Sequence, residues 1–265
     1  MTNLLNFLIL SLLFYQSMST RIIVLAAGKG KRMGANVPKP LVEIAGRPMV
    51  RHLLDSIADS DIDERPILVV APDNLSEFHE VCSEKDCDYA IQEEQLGTGH
   101  AVMSARDNAS GADTVIVLYG DHPFISTDTI KKLDEVQCER QATITMLTTK
   151  VPNFENEYRM FSSWSRIIRN ETGGLKRDVQ IKDANEEELK IKEVNPCIYA
   201  FNAEWLWEHL PEIKNKNASG EYYLTDLIAM AIEEGEAVVT IPVKPLEVVG
   251  VNTHDELKTA EEILG

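Results

Sequence analysis

LAAGKGKRMGANVPKP, Leu25 to Pro40, holds three glycines, four basic residues (Lys29, Lys31, Arg32, Lys39) and no acid. It follows RIIVLA, an apolar run that reads as a buried β-strand. In an open α/β sheet, ligands sit at the carboxyl ends of strands, so this turn occupies a binding position. Gly28, Gly30 and Gly34 do not give GxGxxG, and no GxxxxGK[ST] is present. They permit a tight turn whose backbone N–H groups approach an anion closely, with the basic side chains adding charge. A triphosphate suits such a loop better than a dinucleotide does; the competing reading is a solvated basic loop.

The rest of the chain sharpens this. The 265 residues carry a formal net charge of −17, with an isoelectric point near 4.8, which makes nucleic acid and anionic membrane poor partners. Met1 to Val42 has five basic residues and no acid, so the remainder carries −22 against this +5. The positive charge is local, as a small polyanion requires. Cys82, Cys87, Cys138 and Cys197 lack CxxC spacing, and the six histidines form no HxxxH pair. These point to reduced thiols in a cytoplasmic protein and away from a zinc site.

Residues 1–17, MTNLLNFLILSLLFYQS, form an apolar extension. No basic residue precedes the run, Asn6 and Ser11 interrupt it, and it is short for a span of about 20 residues. Met18 before STRIIVLAAG reads as a natural initiator, which favours a misassigned start or plain extension over an export signal or membrane anchor.

From Arg21 strands and helices alternate. RIIVLA, PILVVA, CDYAI and DTVIVLYG read as strands; PMVRHLLDSIADS, NLSEFHEVC, GTGHAVMSARD and STDTIKKLDEVQ read as helices. The second half changes character, with strands at ATITMLTTK, SRIIRN, KRDVQI and NPCIYAF, a turn at ETGG, and helices at AEWLWEHL and YLTDLIAMAIEEG. The expected fold is α/β, a Rossmann-like mixed, mostly parallel sheet with flanking helices and a smaller β-rich lobe. One domain, 18–265, is expected to divide into a first half (about 18–141) that carries the basic loop and a second half (about 142–265) that covers the sheet's end as a substrate lobe. With 44% hydrophobic residues the chain can bury a large core.

Five ordered segments carry a resemblance. LAAGKGKRM with VPKPL, QEEQLGTGHA (Gln92 to Ala101), LYGDHPFI, GEYYLTD (Gly220 to Asp226) and GVNTHDEL (Gly250 to Leu257) resemble the motifs of sugar-nucleotide pyrophosphorylases. They look most like the uridyltransferase domain of bacterial bifunctional N-acetylglucosamine-1-phosphate uridyltransferases. The resemblance implies in-line attack of a sugar phosphate on the α-phosphorus of UTP, a reaction governed by positioning and charge neutralisation.

By this resemblance, Arg32 and Lys39 are catalytic. Leu25, Ala26, Ala27, Gly28, Gly30, Gln92, Gly97 and Thr98 bind the nucleotide. Ser165, Gln180, Asn195, Tyr223 and Thr225 bind the sugar, and Asp121 and Asn252 hold Mg²⁺. An amide such as that of Gln92 can pair with a uracil edge, whereas a strand-end hydrogen bond is its plain alternative. Asp121 and Asn252 could equally be helix or turn caps. His122 is not needed as a base, because an ionised phosphate is already a nucleophile.

The sugar side departs from the family. Ser163-Trp164-Ser165 replaces glycine-tyrosine-glycine, Gln180 replaces a glutamate, and Pro196-Cys197 replaces threonine-glycine. These changes add bulk or remove charge. Trp164 is a candidate stacking platform or a packed turn aromatic. No hexapeptide repeat is present, so no trimerising β-helix and no acetyl transfer are expected. The reading is a Mg²⁺-dependent uridylyltransferase making UDP-N-acetylglucosamine or a related UDP-sugar. Glucose-1-phosphate uridylyl- or thymidylyltransferase, or a silent nucleotide-sugar sensor, are its rivals.

Overall fold

The computed structural model describes residues 18–28, 37–217, 219–251, 256–258 and 261. Strand β1 (Thr20–Leu25) is buried from Ile22 onward. Alternate side chains point to opposite faces, so Ile22 and Val24 join one core layer while Ile23 and Leu25 join the other. A strand apolar at every position must be covered on both sides, which is why helices flank it.

Eleven further strands follow: β2 (Glu43–Ile44), β3 (Arg47–Pro48), β4 (Ile67–Val70), β5 (Asp88–Ile91), β6 (Thr114–Tyr119), β7 (Ile144–Lys150), β8 (Arg166–Arg169), β9 (Leu175–Val179), β10 (Glu193–Val194), β11 (Tyr199–Asn202) and β12 (Val238–Val243). Among the described residues, β2 and β3 form a small hairpin and the other ten make one sheet. Its order is β5-β4-β1-β6-β11-β7-β10-β8-β9, with β12 on β7. The pairs β1–β4, β1–β6, β4–β5 and β7–β12 are parallel, while β11 runs antiparallel between β6 and β7. The mostly parallel expectation therefore holds.

The helices are α1 (Met49–Ala58), α2 (Leu75–Val81), α3 (Thr98–Ser104), α4 (Thr127–Arg140), α5 (Glu186–Leu189), α6 (Ala203–His209) and α7 (Asp226–Glu234). Helix α1 shows why periodicity was readable. Val50, Leu53, Leu54 and Ile57 lie at i, i+3, i+4 and i+7 and are all buried, each stabilising the fold by about 2 kcal/mol. They pack with Phe78 of α2 and with Ile130 and Leu133 of α4 on one face of the sheet. Helices α3, α6 and α7 supply Val102, Leu206, Leu227 and Ile228 to the other.

Helix α4 starts where the Ser126 hydroxyl accepts the Thr129 N–H (3.2 Å) and ends at Gln141 in the left-handed conformation. The ETGG turn joins β8 to β9 as expected, held by the Asn170 side chain accepting the N–H groups of Thr172 (3.1 Å) and Gly174 (2.8 Å).

Besides the short elements β2, β3, β10 and α5, which the reading did not name, two longer segments differ from it. NPCIYAF begins not as a strand but as a turn, and β11 starts only at Tyr199, because Cys197 sits at φ +63°. Strand β12, VVTIPV, was not anticipated. Its Pro242 is tolerated because β12 pairs on one side only, with β7, among the described residues.

Candidate active site

The prolines of VPKP set the geometry at the end of β6. Pro40 packs on Gly120, where an added Cβ would lie 3.0 Å from the proline's own Cβ. Gly120 in turn donates its N–H to the Leu25 carbonyl at 3.0 Å, tying the ends of β1 and β6 together. Lys39 opens a short 3₁₀ turn, Lys39–Leu41, and its ammonium forms an ion pair with the Asp121 carboxylate. Both side chains are mostly shielded, 14% and 15% exposed, so this pair is far less screened than a surface one. Burial pushes the Asp121 carboxyl up, but Lys39 and then His122 outweigh it and hold it below the usual carboxylate range.

His122 is 7% exposed. Burial pulls its imidazole below the ordinary value, opposed by Asp121 and helped by Lys39, so it is a poor cation carrier. It stacks between Tyr119 (centroids 5.7 Å apart) and Trp164 (6.3 Å, rings 15° from parallel). Trp164 also meets Phe161 edge-on at 4.8 Å. The indole is thus packed on one side, as a turn aromatic would be, and forms cleft wall on another.

A cleft of about 640 Å³ opens beside Asp121. Of the residues singled out from sequence, Thr98, Asp121, Ser165, Gln180, Asn195, Tyr223 and Thr225 line it. Arg32, Gly30 and Asn252 lie outside the described residues. The N–H of Val251 donates to the Asp121 carbonyl at 3.1 Å, so the residue immediately before Asn252 is tied to the Asp121 backbone. Ala26 continues the end of β1, bonded through its N–H to the Val69 carbonyl at 2.9 Å; Ala27 is buried and Gly28 exposed.

Of Gln92 and the Gly97-Thr98-Gly99 turn, Thr98 lines the cleft, and the others brace the turn that carries it. The Gln92 amide donates to the Gly97 carbonyl (3.1 Å) and lies 3.2 Å from His100 Nδ1, so its nitrogen shapes the turn. Tyr222 donates its N–H to the Leu96 carbonyl (2.7 Å), and the Gly99 N–H donates to the Tyr222 carbonyl (2.8 Å). The Leu224 N–H donates to the Thr98 hydroxyl (3.0 Å). An added Cβ on Gly97 would lie 2.6 Å from the Tyr222 oxygen. Glycine is therefore required here for backbone-to-backbone approach, a reason the sequence alone did not reveal.

Asn195 is fully engaged inside the protein. Its Nδ2 donates to Asp178 (2.9 Å) and to the Tyr199 hydroxyl (2.8 Å), and its Oδ1 accepts the Cys197 N–H (2.7 Å). Both amide hydrogens are used, so the side chain orders the cleft wall more than it reaches into the cleft. Burial raises the Asp178 carboxyl above its usual range, partly offset by Ser165 and Asn195.

The cleft also includes Ser163, Pro196 and Cys197, which the reading placed on the sugar side without a binding role, and Tyr119, His122, Ile181, Lys182, Asp183, Lys216 and Asn217, which it did not assign to a ligand. Lys182 and Asp183 lie in the turn just after Gln180. Lys216 and Asn217 carried no spacing signal.

The MobA-like NTP transferase domain family matches residues 22–220. The chain belongs to that family. Members of the MobA-like NTP transferase domain family are nucleotidyltransferases, and the end-of-strand cleft with its buried ion pair accords with that class. The chain is 40% identical over 243 residues to the bifunctional protein GlmU of Clostridium novyi, covering 91% of this chain and 51% of that protein. Against GlmU of Caldicellulosiruptor saccharolyticus the identity is 40% over 250 residues, 94% and 52% of the two chains. The chain thus spans about half the length of these relatives. A solved Bacillus anthracis protein described as a glucose-1-phosphate thymidylyltransferase, in complex with a sucrose, superposes with a TM-score of 0.73, 92% and 95% coverage and 18% identity. That likeness bears out the nucleotide-diphospho-sugar transferase fold.

Proposed function

We propose that the chain transfers a uridylyl group from UTP to a sugar 1-phosphate, releasing pyrophosphate and forming UDP-N-acetylglucosamine or a related UDP-sugar. The observation that carries this reading is the cleft in which Asp121, paired with Lys39 just past the end of β6, shares walls with Ser165, Gln180, Tyr223 and Thr225. Two anionic reactants meet there, and the task of the chain is to neutralise and align them. Lys39, with Arg32 as expected from the sequence, would balance charge around the α-phosphate and the attacking phosphate oxygen. Gln92 and the turn it shapes would hold the base, and the far wall would orient the sugar.

Asp121 suits Mg²⁺: it offers hard carboxylate oxygen at a strand end inside the cleft. Among the described residues, no group of three or more His, Cys, Asp or Glu could hold a metal ion. One carboxylate, Asn252 and substrate phosphates are the donor set Mg²⁺ commonly takes. When bound, the ion would supply Lewis-acid charge stabilisation at the phosphates. No general base is required, in keeping with the depressed imidazole of His122.

Among the described residues, no helix is long and apolar enough to cross a membrane, which suits work in the cytoplasm on small substrates. The test is pyrophosphate release with UTP, dTTP, CTP and GTP against a panel of sugar 1-phosphates, with Mg²⁺. Turnover with UTP and one sugar supports the proposal. Preference for dTTP with glucose 1-phosphate moves it to a thymidylyltransferase, and UTP binding without turnover replaces it with a sensor.

A further inference from the structure

Five non-glycine residues among those described have positive φ: Ala45, Asp61, Gln141, Asn156 and Cys197. The first four are exposed. Cys197, at φ +63°, is half-buried and forms part of the cleft wall. A left-handed backbone is strained for any residue with a side chain, and the local bond of the Cys197 Sγ, to the Asn195 carbonyl at 3.9 Å, is weak; glycine would adopt the same backbone freely.

The strain is held in place from several directions. The Asn195 Oδ1 grips the Cys197 N–H at 2.7 Å, while the Asn195 amide is fixed by Asp178 and by Tyr199. Tyr199 is fully buried on β11. The preceding Pro196 is buried against the same wall, and its ring restricts the turn further. An over-determined, strained residue in a cleft wall is where a functional reason is to be sought. Burial, with Asp178 adding to it, pushes the thiol up to about 12. The sulfur is therefore protonated at neutral pH, and what it contributes is volume, not nucleophilicity.

We infer that the Cys197 side chain is a size filter at the sugar end of the cleft, selecting a hexose 1-phosphate that bears hydroxyl groups only over one carrying an N-acyl group. The inference rests on the uridylyl-transfer reading for the identity of the reaction, and within that reading it narrows the product from UDP-N-acetylglucosamine or a related UDP-sugar to an unacylated one. A group about the size of one methylene is worth roughly 10- to 200-fold in discrimination by a pocket.

The test compares wild type, Cys197→Gly and Cys197→Ser. For each, kcat/KM is measured with UTP and either glucose 1-phosphate or N-acetylglucosamine 1-phosphate, and Kd for UDP-glucose and UDP-N-acetylglucosamine is measured by calorimetry. Wild type should favour the unacylated sugar. Cys197→Gly should move the ratio at least about tenfold toward the acylated one, with KM for UTP unchanged and a thermal midpoint no lower than wild type. Cys197→Ser, which keeps the bulk, should retain the wild-type ratio. The filter is overturned if wild type prefers the acylated sugar, if Cys197→Gly leaves both ratios unchanged, or if Cys197→Ser shifts them as glycine does. Should no variant release pyrophosphate while the Kd ratio still shifts, the transfer reading fails and the filter stands. If neither UDP-sugar binds, both fail.

Discussion

Replacing Gly97 with alanine strikes the joint between the two sides of the cleft. Gly97 sits at φ 113°, ψ 176°, a region open almost only to glycine, so any side chain there costs on the order of 1–3 kcal/mol in backbone strain. The new Cβ would also lie 2.6 Å from the Tyr222 carbonyl oxygen, 2.8 Å from its nitrogen and 3.0 Å from the Glu221 Cβ. Two of these are backbone atoms that cannot turn aside. The 221–224 segment must move, loosening the hydrogen bonds of Tyr222 to Leu96 and Gly99 (2.7 and 2.8 Å), together worth about 2 kcal/mol. The expected loss is therefore about 3–5 kcal/mol. Gly111→Ala is the matched control: it too has positive φ (83°), but nothing lies within 4 Å of its Cβ, so only about 1 kcal/mol of strain applies. Urea unfolding of both variants measures the difference. Equal losses within 0.5 kcal/mol, a margin of about the additivity error, would refute the argument that backbone approach makes Gly97 a glycine.

Lys39→Ala and Asp121→Asn should each lower turnover on the order of 100-fold, with EDTA abolishing pyrophosphate release and Mg²⁺ restoring it; wild-type rates in both variants would show the pair to be structural. The double variant should unfold at higher urea than Lys39→Ala alone, since the single change strands a buried carboxylate. Burial lifts the Asp178 carboxyl above its usual range, against smaller lowering by Ser165 and Asn195. Its stabilising protonated form is complete below the unfolded value of about 4 and is lost as pH rises through the raised folded value. Asp178→Asn should therefore gain on wild type across that window, and a stability difference independent of pH would contradict this. Deleting residues 1–17 should leave stability and turnover unchanged, because β1 is held by the residues just before it, Met18 against Cys138 (2.9 Å) and Ser19 bonded to Asp113 (2.8 Å) and to the Gly111 carbonyl (3.0 Å); membrane association lost on deletion would argue for an anchor instead.

Strands such as β1 and helices such as α1 were legible because their burial is local and periodic. A run of Ile22, Ile23, Val24 and Leu25 has no other stable use than a strand covered on both faces. Much of the cleft was legible through motifs, but the reasons for its residues were not. Gly97 and Gly99 were visible as a turn, yet their partner Tyr222 arrives from far along the chain. The prolines around Lys39 were plain, whereas the contact of Pro40 on Gly120 is tertiary. Cys197 read as strand because nothing in its residue type announces a left-handed backbone; the Asn195 side chain imposes it. Strand β12 was hidden by Pro242, whose cost depends on whether the strand is an edge.

If the proposed reading holds, the shielded pair of Lys39 and Asp121 would work as a counterion exchanger beside the cleft. Drawing the ammonium away toward a phosphate would leave the carboxylate alone in a low-dielectric wall, a loss of several kcal/mol. An anion arriving by itself therefore cannot recruit Lys39 without opposition, whereas one that brings a cation can, because the incoming positive charge replaces the departing one. On the proposed reading, local electroneutrality would gate the site: a bare triphosphate and its cation-loaded form would present the same shape to the walls, and the charge of the pair would tell them apart.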